Sequence, residues 1–590
     1  AHGPGGGCGR RQGPQAIGLG DQHRQPLDLV GLGEQPPAAA QFQAPGAMDA
    51  ATAHGHHRLK LLPQLPPQPA AEQSLFHRAV GGRPCQHAVM TSRCDVAVVG
   101  AGIAGLTAAA LLAAEGLEVV LLEAHSQSGG CAGTFRRGPY TFDVGATQVA
   151  GFEPGGSHAR LFRHFGLALP PARPLDPGCS VLLSGERDPI HLWRDPDRWR
   201  QERQRHFPGS ERFWSLCALL HQGTWGFAGR DPVLPPRSAW DLGQLLTALD
   251  PGAAISGLFT LATVADLLRL CGCAGDGRLR RFLDLQLRLY SQEPADRTAA
   301  LYGATVLAMA QQPLGLWHLE ASMQALSAAL ERALAAAGAQ LRLRHRLVGL
   351  RPLPAGGWRL EGQGPAGRPF CLEAAEVVCS LPPQALPDLL GPVLPDGYRR
   401  RLDRFPDPSG ALVLYGAVPR HRLPADLGLH AQLEWSDPGS LFVSLSAEGD
   451  GRAPQGQATV IASVFTPARP WFSLAEQAYQ RRKRQAIAGI QAGLQELLGL
   501  EAADWLHAEL ATPRGFAGWT GRPFGFVGGL GQHPSRFGPF GLASRTPMPG
   551  LWLCGDAIHP GEGTAGVSLS ALMAARQLLA ARGRELRLRT

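Results

Sequence analysis

The sequence predicts an α/β protein that contains a Rossmann-type nucleotide-binding unit. Three observations lead to this prediction. The chain has 590 residues, of which 44% are hydrophobic, so it can form a sizeable core and is not globally disordered. A strand, a glycine turn, a helix and a second strand follow each other at residues 95–123. Near the end of the chain, residues 550–582 show another strand (550–554), a glycine-rich turn and a helix (568–582).

The unit at residues 95–123 has the length of one β-α-β motif. Apolar runs predict strands at 95–99 and 117–122, and an Ala/Leu-rich segment predicts a helix at 106–115. The residues between the first strand and the helix are Gly100-Ala-Gly102-Ile-Ala104-Gly105. A G-x-G-x-x-G pattern in this position is typical of a dinucleotide-binding turn.

Each glycine of this turn has a predicted physical role. Gly100 permits the tight turn, Gly102 lets the backbone approach a pyrophosphate, and Gly105 allows close packing of helix and strand. The helix N-terminus offers amide donors to the phosphates. Glu123 ends the second strand, where its carboxylate would accept hydrogen bonds from ribose hydroxyls. Gly100, Gly102, Ala104, Gly105 and Glu123 are therefore predicted to bind the dinucleotide.

Residues 1–90 differ from the rest of the chain because they are rich in Gly, Pro and Gln and lack apolar periodicity. We interpret them as a disordered low-complexity extension, or as sequence upstream of a start at Met90. The remaining chain is predicted to alternate between two domains. The nucleotide-binding domain comprises 91–155, 316–386 and 546–590, and the second domain comprises 156–315, which is mainly helical, and 387–545.

The formal net charge is +8, and all but two of the 56 basic residues are arginines. The arginines are interleaved with acidic residues, so we predict a solvated or membrane-facing surface and no nucleic-acid binding. The eleven cysteines show no metal-ligand spacing, which predicts no metal site and a reducing compartment on the cytoplasmic side. Apolar stretches such as 253–265 are too short to span a bilayer.

Three further motifs narrow the identity of the dinucleotide. Ser128-Gly129-Gly130-Cys131 follows Glu123, Thr141-Phe-Asp-Val-Gly145 comes next, and Leu551-Trp-Leu-Cys-Gly555-Asp556 begins the C-terminal motif. Together with the first glycine turn they resemble the amine oxidase and phytoene desaturase superfamily. The resemblance covers about residues 93–585 and implies non-covalent FAD, bound by a discontinuous domain beside a mixed α+β domain that takes the substrate and docks on a membrane.

The resemblance also implies the roles of several residues. Gly129 and Gly130 would contact the pyrophosphate. Leu347, in a strand predicted at 340–350, would meet the adenine through its backbone. In the closing motif, Gly555 and Asp556 would contact the ribityl or pyrophosphate region, and the amides near Gly566 and Val567 would face the flavin. Many members carry an arginine after the glycine pair, where this chain has Cys131, so a side-chain contact with phosphate at that position is in doubt.

Other segments resemble the bacterial-type carotenoid desaturases and the related carotenoid isomerase. They are Gly130–Phe135, Asp143–Gln148, Gly315–His318 and Gly525–Leu530. The combination of Asp143–Gly151 with the turn His559–Gly566 looks most like the cyanobacterial carotenoid 3′,4′-desaturases. This resemblance implies a membrane-dissolved carotenoid substrate and leaves three alternatives open. They are FAD-dependent desaturation, cis–trans isomerisation with reduced flavin, and a non-catalytic lipid-handling protein of similar fold.

Desaturation would transfer a hydride from an allylic carbon to flavin N5. Glu562 is the predicted catalytic residue, either stabilising a polyene cation or taking the proton; the alternative is a Glu that caps the next helix. His559 is either a site residue or a turn residue bonded to backbone. The sequence does not identify the electron acceptor. The enzyme is expected at the cytoplasmic side as a peripheral membrane protein, with amphipathic segments such as 278–290 on anionic lipid.

Overall fold

A computed structural model describes residues 92–589, so the predictions for residues 1–90 and for Met90 lie outside the described residues. The strands, in chain order, are β1 (Ser92–Val99), β2 (Val119–Leu122), β3 (Thr134–Arg137), β4 (Tyr140–Asp143), β5 (Ala172–Pro174), β6 (Ser180–Leu182), β7 (Ile190–His191), β8 (Trp317–Leu319), β9 (Gln340–Arg342), β10 (Arg346–Pro352), β11 (Trp358–Gln363), β12 (Pro369–Cys379), β13 (Gly410–Pro419), β14 (His430–Leu433), β15 (Leu441–Leu445), β16 (Gln457–Thr466), β17 (His507–Ala511) and β18 (Leu551–Leu553).

The α-helices are α1 (Ile103–Ala114), α2 (Ser157–Phe165), α3 (Pro196–His206), α4 (Glu211–Gly229), α5 (Ala239–Thr247), α6 (Pro251–Gly257), α7 (Val264–Leu270), α8 (Gly277–Ser291), α9 (Ala300–Leu307), α10 (Gln324–Ala336), α11 (Leu386–Leu390), α12 (Asp396–Asp403), α13 (Glu476–Leu498), α14 (Pro513–Thr520) and α15 (Gly563–Ala581).

The first sheet confirms the predicted α/β class. Its strands run β10-β11-β12-β1-β2-β9, and β18 pairs with the C-terminal end of β12. Strands β9, β2, β1, β12 and β18 are parallel, whereas β10 and β11 form an antiparallel extension. The sheet thus combines strands from three separated parts of the chain, and its two faces are both buried.

Alternation along β1 explains how this sheet is covered. Val96 and Val98 belong to the core formed with α1, α10 and α15, while Ala97 and Val99 belong to the core on the opposite face. Because successive side chains of a strand point to opposite faces, an uninterrupted apolar run is needed to bury both. Helix α1 packs between α10 and α15, and 11 of its 12 residues are buried.

The second sheet has the order β17-β13-β16-β15-β14-β6-β7 and is antiparallel except where β6 joins β14. One face of β13 presents Leu412 and Leu414 to a core that includes α13. The other face presents Ala411 and Val413 to a small core shared with β4. Helices α3, α4 and α7–α9 form a separate apolar core. Residues of both sheets line one cavity, among them Gly100 after β1 and Val413 of β13.

Several bounds of the predicted elements differ from the structure; for example, the helix predicted at 106–115 is α1, which begins at Ile103. The strand expected at 340–350 is divided into β9 and β10, which lie at opposite edges of the first sheet, because the chain turns at Arg344 with φ of +57°. The last helix begins at Gly563 instead of residue 568. The boundaries predicted for the two domains stay predictions.

Candidate cofactor and substrate site

A continuous cavity of about 690 Å³ begins at the carboxyl ends of β1 and β2 and extends toward the helices α4–α9. Parallel α/β sheets commonly bind ligands at this edge. Eleven of the thirteen predicted site residues line the cavity: Gly100, Gly102, Ala104, Glu123, Gly129, Gly130, Gly555, Asp556, Glu562, Gly566 and Val567. Gly105 and Leu347 do not line it.

The first glycine turn forms a cradle of bare backbone. A Cβ atom built on Gly102 would meet nothing within 4 Å, so this position opens into the cavity. A Cβ on Gly105 would instead lie 1.8 Å from the carbonyl oxygen of Gly100, so this glycine serves the packing of α1 against the turn. Helix α1 has no side-chain cap at its N-terminus, which leaves its first amides as donors for an anion.

The second glycine pair lies against the first turn. The amide of Gly129 donates to the carbonyl of Ala101 at 2.8 Å. A Cβ on Gly130 would lie 3.5 Å from the Cα of Gly102. Both glycines have positive φ, of +106° and +56°, a conformation that side chains disfavour. The two glycine motifs, 24 residues or more apart in the sequence, thus form one continuous wall.

Glu123 is held at the end of β2 by two backbone donors. The amide of Ala101 donates to one carboxylate oxygen and the amide of His125 donates to the other, each at 2.7 Å. The segment after β9 reaches this corner through His345, whose amide donates to the Glu123 carbonyl at 2.7 Å. Leu347 lies beyond it on β10 and packs against the core under the sheet, so the structure does not place it on the cavity wall.

Arg522 is a site residue that the sequence did not reveal. Its guanidinium donates to both oxygens of Asp556, at 2.9 and 2.6 Å, and to the carbonyl of Gly528 at 3.3 Å. It also contacts the sulfur of Cys131 at 3.8 Å. Among the described residues, Arg522 is the only Arg or Lys whose side chain lines the cavity. Only its spatial approach to Cys131 identifies it, since 391 residues separate them.

The arginine is well suited to a bound diphosphate. Only 12% of its side chain is exposed, and a buried guanidinium needs negative partners. Its one carboxylate partner, Asp556, neutralises it in this structure, and a diphosphate would bring further negative charge to the same corner. Burial raises the pKa of the Cys131 thiol, which favours the interpretation of Cys131 as a packing residue over a reactive thiolate.

Glu562 lies where the closing turn enters α15. It occupies the N-cap position, but its side chain makes no capping bond. Instead the side-chain amide of Gln292 donates to its carboxyl group, and the same amide donates to the Gly529 carbonyl at 3.1 Å. Burial, reinforced by the charge of Asp556, raises the pKa of Glu562 to about 8. The carboxyl group can therefore hold or release a proton near neutral pH.

His559 lines the cavity in the same turn. Its Nδ1 is buried with no hydrogen-bond partner among the described residues, and its ring lies 5.7 Å from that of Phe537, centroid to centroid. Burial lowers the pKa of His559 to about 4, so the ring is neutral at physiological pH. The Nδ1 atom thus makes no backbone bond of the kind considered for a turn residue.

Beyond Glu562 the cavity continues as an apolar arm. Its wall comes from α4, α5, α6, α8, α9 and the inner face of the second sheet, and includes Trp225, Phe227, Leu245, Leu249, Leu289, Leu301, Val306, Met309, Leu316, Phe442 and Phe465. Polar groups in this wall bond to the protein itself. The Tyr302 hydroxyl donates to the Tyr290 carbonyl at 2.7 Å, and Thr147 and Ser444 share a hydrogen bond of 2.7 Å. The arm is suited to a long apolar molecule.

Within residues 92–589 no three His, Cys, Asp or Glu side chains come together as a metal-binding group. In the same part of the chain, no helix has the length and apolar character needed to cross a bilayer.

Comparison with known proteins agrees with this geometry. The family "Flavin containing amine oxidoreductase" matches residues 103–579. Prolycopene isomerase 2 of an Oncidium hybrid cultivar is 25% identical over 517 residues, 83% of this chain and 84% of that protein. Hydroxyneurosporene desaturase of Cereibacter sphaeroides is 28% identical over 529 residues, 82% of this chain and 97% of that protein.

Two solved structures have the same fold at low sequence identity. Putrescine oxidase bound to putrescine has a TM-score of 0.56 and 17% identity, covering 84% of this chain and 100% of that one. Cyclohexylamine oxidase from Brevibacterium oxydans has a TM-score of 0.53 and 18% identity, covering 82% and 99%.

The walls fit FAD on structural grounds. The open Cβ position of Gly102 and the uncapped start of α1 suit a diphosphate, and Arg522 lies close by. The prediction of a flavin enzyme is thus confirmed, while the contacts assigned to single site residues stay predictions. With three quarters of its length or more matched by one flavoenzyme family, the chain belongs to the flavin containing amine oxidoreductases, and its cofactor is FAD.

Proposed function

We propose that the protein desaturates a carotenoid, with 3′,4′-desaturation as the favoured reaction. The observation that carries this proposal is the continuity of the cavity, because the nucleotide end and the apolar arm form one space that meets at Glu562. A long polyene in the arm would have its end next to the closing turn. Two relatives with similar coverage are named for carotenoid reactions, a desaturase and an isomerase.

The reaction needs one hydride acceptor and one proton acceptor. FAD, when bound, supplies the hydride acceptor. Glu562 is the proposed proton acceptor, because a carboxylate in an apolar wall can take a proton from the carbon next to the one that loses the hydride. The substrate then loses two hydrogens and gains one C=C bond. Gln292 keeps the carboxyl group oriented by its hydrogen bond.

Isomerisation is the second candidate, and a specific observation favours it. Prolycopene isomerases match as much of this chain as the desaturase does, at 22–25% identity. Isomerisation with reduced flavin would leave the mass of the substrate unchanged, and the neutral His559 and protonated Glu562 would then act as a polar but uncharged end of the polyene site.

A membrane surface as the source of the substrate is supported by the exposed leucines. Among the described residues, eight of the thirteen exposed large apolar side chains lie in residues 219–270. We call this set the leucine patch: Leu219, Leu242, Leu246, Leu249, Ile255, Leu258, Leu261 and Leu270. Leu249 also lines the cavity, so one residue of the patch connects it with the arm. A cluster of exposed apolar side chains is expected to enter a bilayer.

The sequence prediction placed the docking segment at 278–290, but that segment is α8, most of whose leucines are buried. We therefore place the proposed docking on the leucine patch. The location on the cytoplasmic side stays part of this proposal and rests on the cysteine spacing in the sequence alone. The electron acceptor that would reoxidise the flavin stays unassigned.

Expression in a carotenoid-producing host tests the proposal. We expect a product that has lost two hydrogens and absorbs at longer wavelength than the substrate, measured by mass spectrometry and absorption after chromatography. A host carrying the Glu562→Gln variant provides the matched control. A product of unchanged mass and altered retention would favour isomerisation. Purified protein that shows no flavin absorbance would contradict both reactions and favour the lipid-handling alternative.

A further inference from the structure

A second cavity, of about 450 Å³, lies on the surface between α2, the end of α4, α15 and the C-terminal tail. Five arginines and two acidic residues line it: Arg160, Arg163, Arg576, Arg587, Arg589, Asp231 and Glu585. The excess of three positive charges is concentrated in one recess, apart from the FAD cavity. We call this recess the arginine pocket.

The tail that forms one wall of the pocket is fixed to the body of the protein. Leu586 is buried in the core beneath α15, and Leu588 packs against the same core. Between and beyond them, Arg587 and Arg589 are exposed and line the pocket. The amide of Arg589 donates to Nδ1 of His164 in α2 at 3.2 Å. The alternation of leucine and arginine therefore presents the charges on one side of an anchored extended segment.

The arginines differ in whether an acidic partner neutralises their charge. Arg160 forms an ion pair with Asp231 at 2.5 Å, and Arg587 pairs with Glu585 at 2.8 Å. The side chains of Arg163 and Arg589 have no partner among residues 92–589. This leaves positive charge that residues 92–589 do not neutralise.

Arg576 adds a partly buried charge at the base. Its guanidinium donates to Gln244 in α5 at 2.5 Å and to the Asp231 carbonyl. Burial lowers the pKa of Arg576, and the neighbouring Arg160 adds to the effect. An anion in the recess would relieve the repulsion between these guanidinium groups.

We propose that the arginine pocket binds the phosphate of an anionic phospholipid headgroup. Guanidinium groups bind phosphate through paired hydrogen bonds, which makes phosphate the favoured class of anion. The neighbouring helix α5 favours a lipid over a soluble molecule as the source of the phosphate. Arg576 contacts α5 through Gln244, and the same helix carries Leu242 and Leu246 of the leucine patch, which are 47% and 58% exposed.

The pocket thus accompanies the surface that is proposed to enter the bilayer, and this inference rests on the proposed membrane docking. It assigns a different task to each surface. The leucine patch would insert in any bilayer, whereas the arginine pocket would select lipids with a negative headgroup.

Binding of the full-length flavoprotein to vesicles tests this division. The variant is Arg163→Gln, Arg587→Gln and Arg589→Gln combined, and the matched control is Arg136→Gln, Arg332→Gln and Arg404→Gln, three exposed arginines elsewhere. Vesicles contain phosphatidylcholine alone or with 30% phosphatidylglycerol. Because each arginine near an anionic surface contributes roughly fivefold in affinity, we expect at least a tenfold fall on the anionic vesicles for the pocket variant and a smaller fall for the control.

Binding to vesicles of phosphatidylcholine alone should stay unchanged in both variants, and both should keep their flavin absorbance. Equal losses in the pocket variant and the control would overturn the proposal, because a general charge effect would then suffice. A second measurement uses inorganic phosphate in place of vesicles. If it raises the melting temperature of the wild type but not of the pocket variant, while anionic vesicles bind both alike, the lipid assignment is wrong and the source is soluble.

Failure of the membrane proposal would look different. In that case neither kind of vesicle would bind the wild type, and replacing residues of the leucine patch would change nothing. Loss of anionic binding in the pocket variant alone, with carotenoid conversion in detergent preserved, would support the headgroup site regardless of which carotenoid reaction is correct.

Discussion

The nucleotide end and the apolar arm share one cavity but are built by different means. At the nucleotide end the walls consist of glycine backbone, helix amides and one ion pair. Few other residue types would fit at these positions. In the arm the walls are apolar side chains from five helices and a sheet, and many combinations of residues would give the same surface. A diphosphate needs particular donors at particular points, whereas a polyene needs only apolar volume.

The largest effect is expected where the nucleotide end depends on a buried charge. Replacing Arg522 by Gln leaves Asp556 without its cation, and breaking a buried ion pair costs about 3–5 kcal/mol of folding free energy. We expect a large fall in melting temperature and a loss of FAD affinity of a hundredfold or more, measured by calorimetry and by titration of apoprotein with FAD.

The double variant Arg522→Gln with Asp556→Asn separates stability from binding, because it removes both charges. Its melting temperature should recover while its affinity for ADP, which carries the diphosphate without the flavin, stays low. Recovery of ADP binding would show that Arg522 acts only as the partner of Asp556.

Within the first glycine turn, one glycine serves packing and another faces the cavity, so two variants can separate stability from cofactor binding. Gly105→Ala forces a Cβ against the Gly100 carbonyl, and overpacking of this kind costs about 1–3 kcal/mol or more. Gly102→Ala meets no protein atom and points into the cavity. We expect Gly105→Ala to lower the melting temperature of the apoprotein, and Gly102→Ala to leave it unchanged while lowering FAD affinity about tenfold. Similar effects of both variants would contradict the division of roles.

This contrast explains which parts of the molecule the sequence could predict. The glycine positions and Glu123 follow from local spacing, since one turn must satisfy both a helix and a phosphate. Arg522 could not be found in this way, because no spacing rule connects it to Cys131 far upstream. The residues of the arm were equally hidden, because apolar residues in helices predict a core whether or not that core encloses a cavity.

The errors in the predicted elements have a related cause. Residues 340–350 alternate as one strand would, and only the positive φ at Arg344 shows that the chain turns there. The closing helix begins at Gly563, five residues before its predicted start. Gly563, Thr564 and Gly566 have low helical propensity, so the sequence did not indicate a helix there. Leu347 was placed by resemblance to the adenine-binding strand, and in the structure His345 lies closer to Glu123.

At the junction of the two regions, Glu562 should control the pH dependence. Its pKa of about 8 in the folded protein lies above the ordinary value of 4.5, so the folded state binds more protons than the unfolded chain between these values. Stability of the apoprotein should therefore decrease as the pH rises from about 5 to 8, and Glu562→Gln should remove this part of the decrease. Thermal unfolding across this pH range measures it.

The Glu562 carboxyl group also predicts how the rate of desaturation changes with pH. If the carboxylate takes the proton, desaturation should accelerate as the pH rises through about 8. Glu562→Gln should lower the rate about tenfold to a hundredfold and flatten the profile, whereas Glu448→Gln, which changes an exposed carboxyl, should do neither. An unchanged profile in Glu562→Gln would exclude this residue as the proton acceptor.

The smallest effect is expected at the leucine patch, because each single surface leucine contributes little to membrane binding. Leu258 is 84% exposed, and its transfer into lipid should contribute about 1–2 kcal/mol. Leu258→Ser should weaken binding to neutral vesicles roughly fivefold to tenfold without altering flavin content, whereas Leu506→Ser, an exposed leucine outside the patch, should have no effect. If both variants bind vesicles equally well, the arm must receive its substrate by a route that does not involve the leucine patch, and the exposed leucines then need another partner.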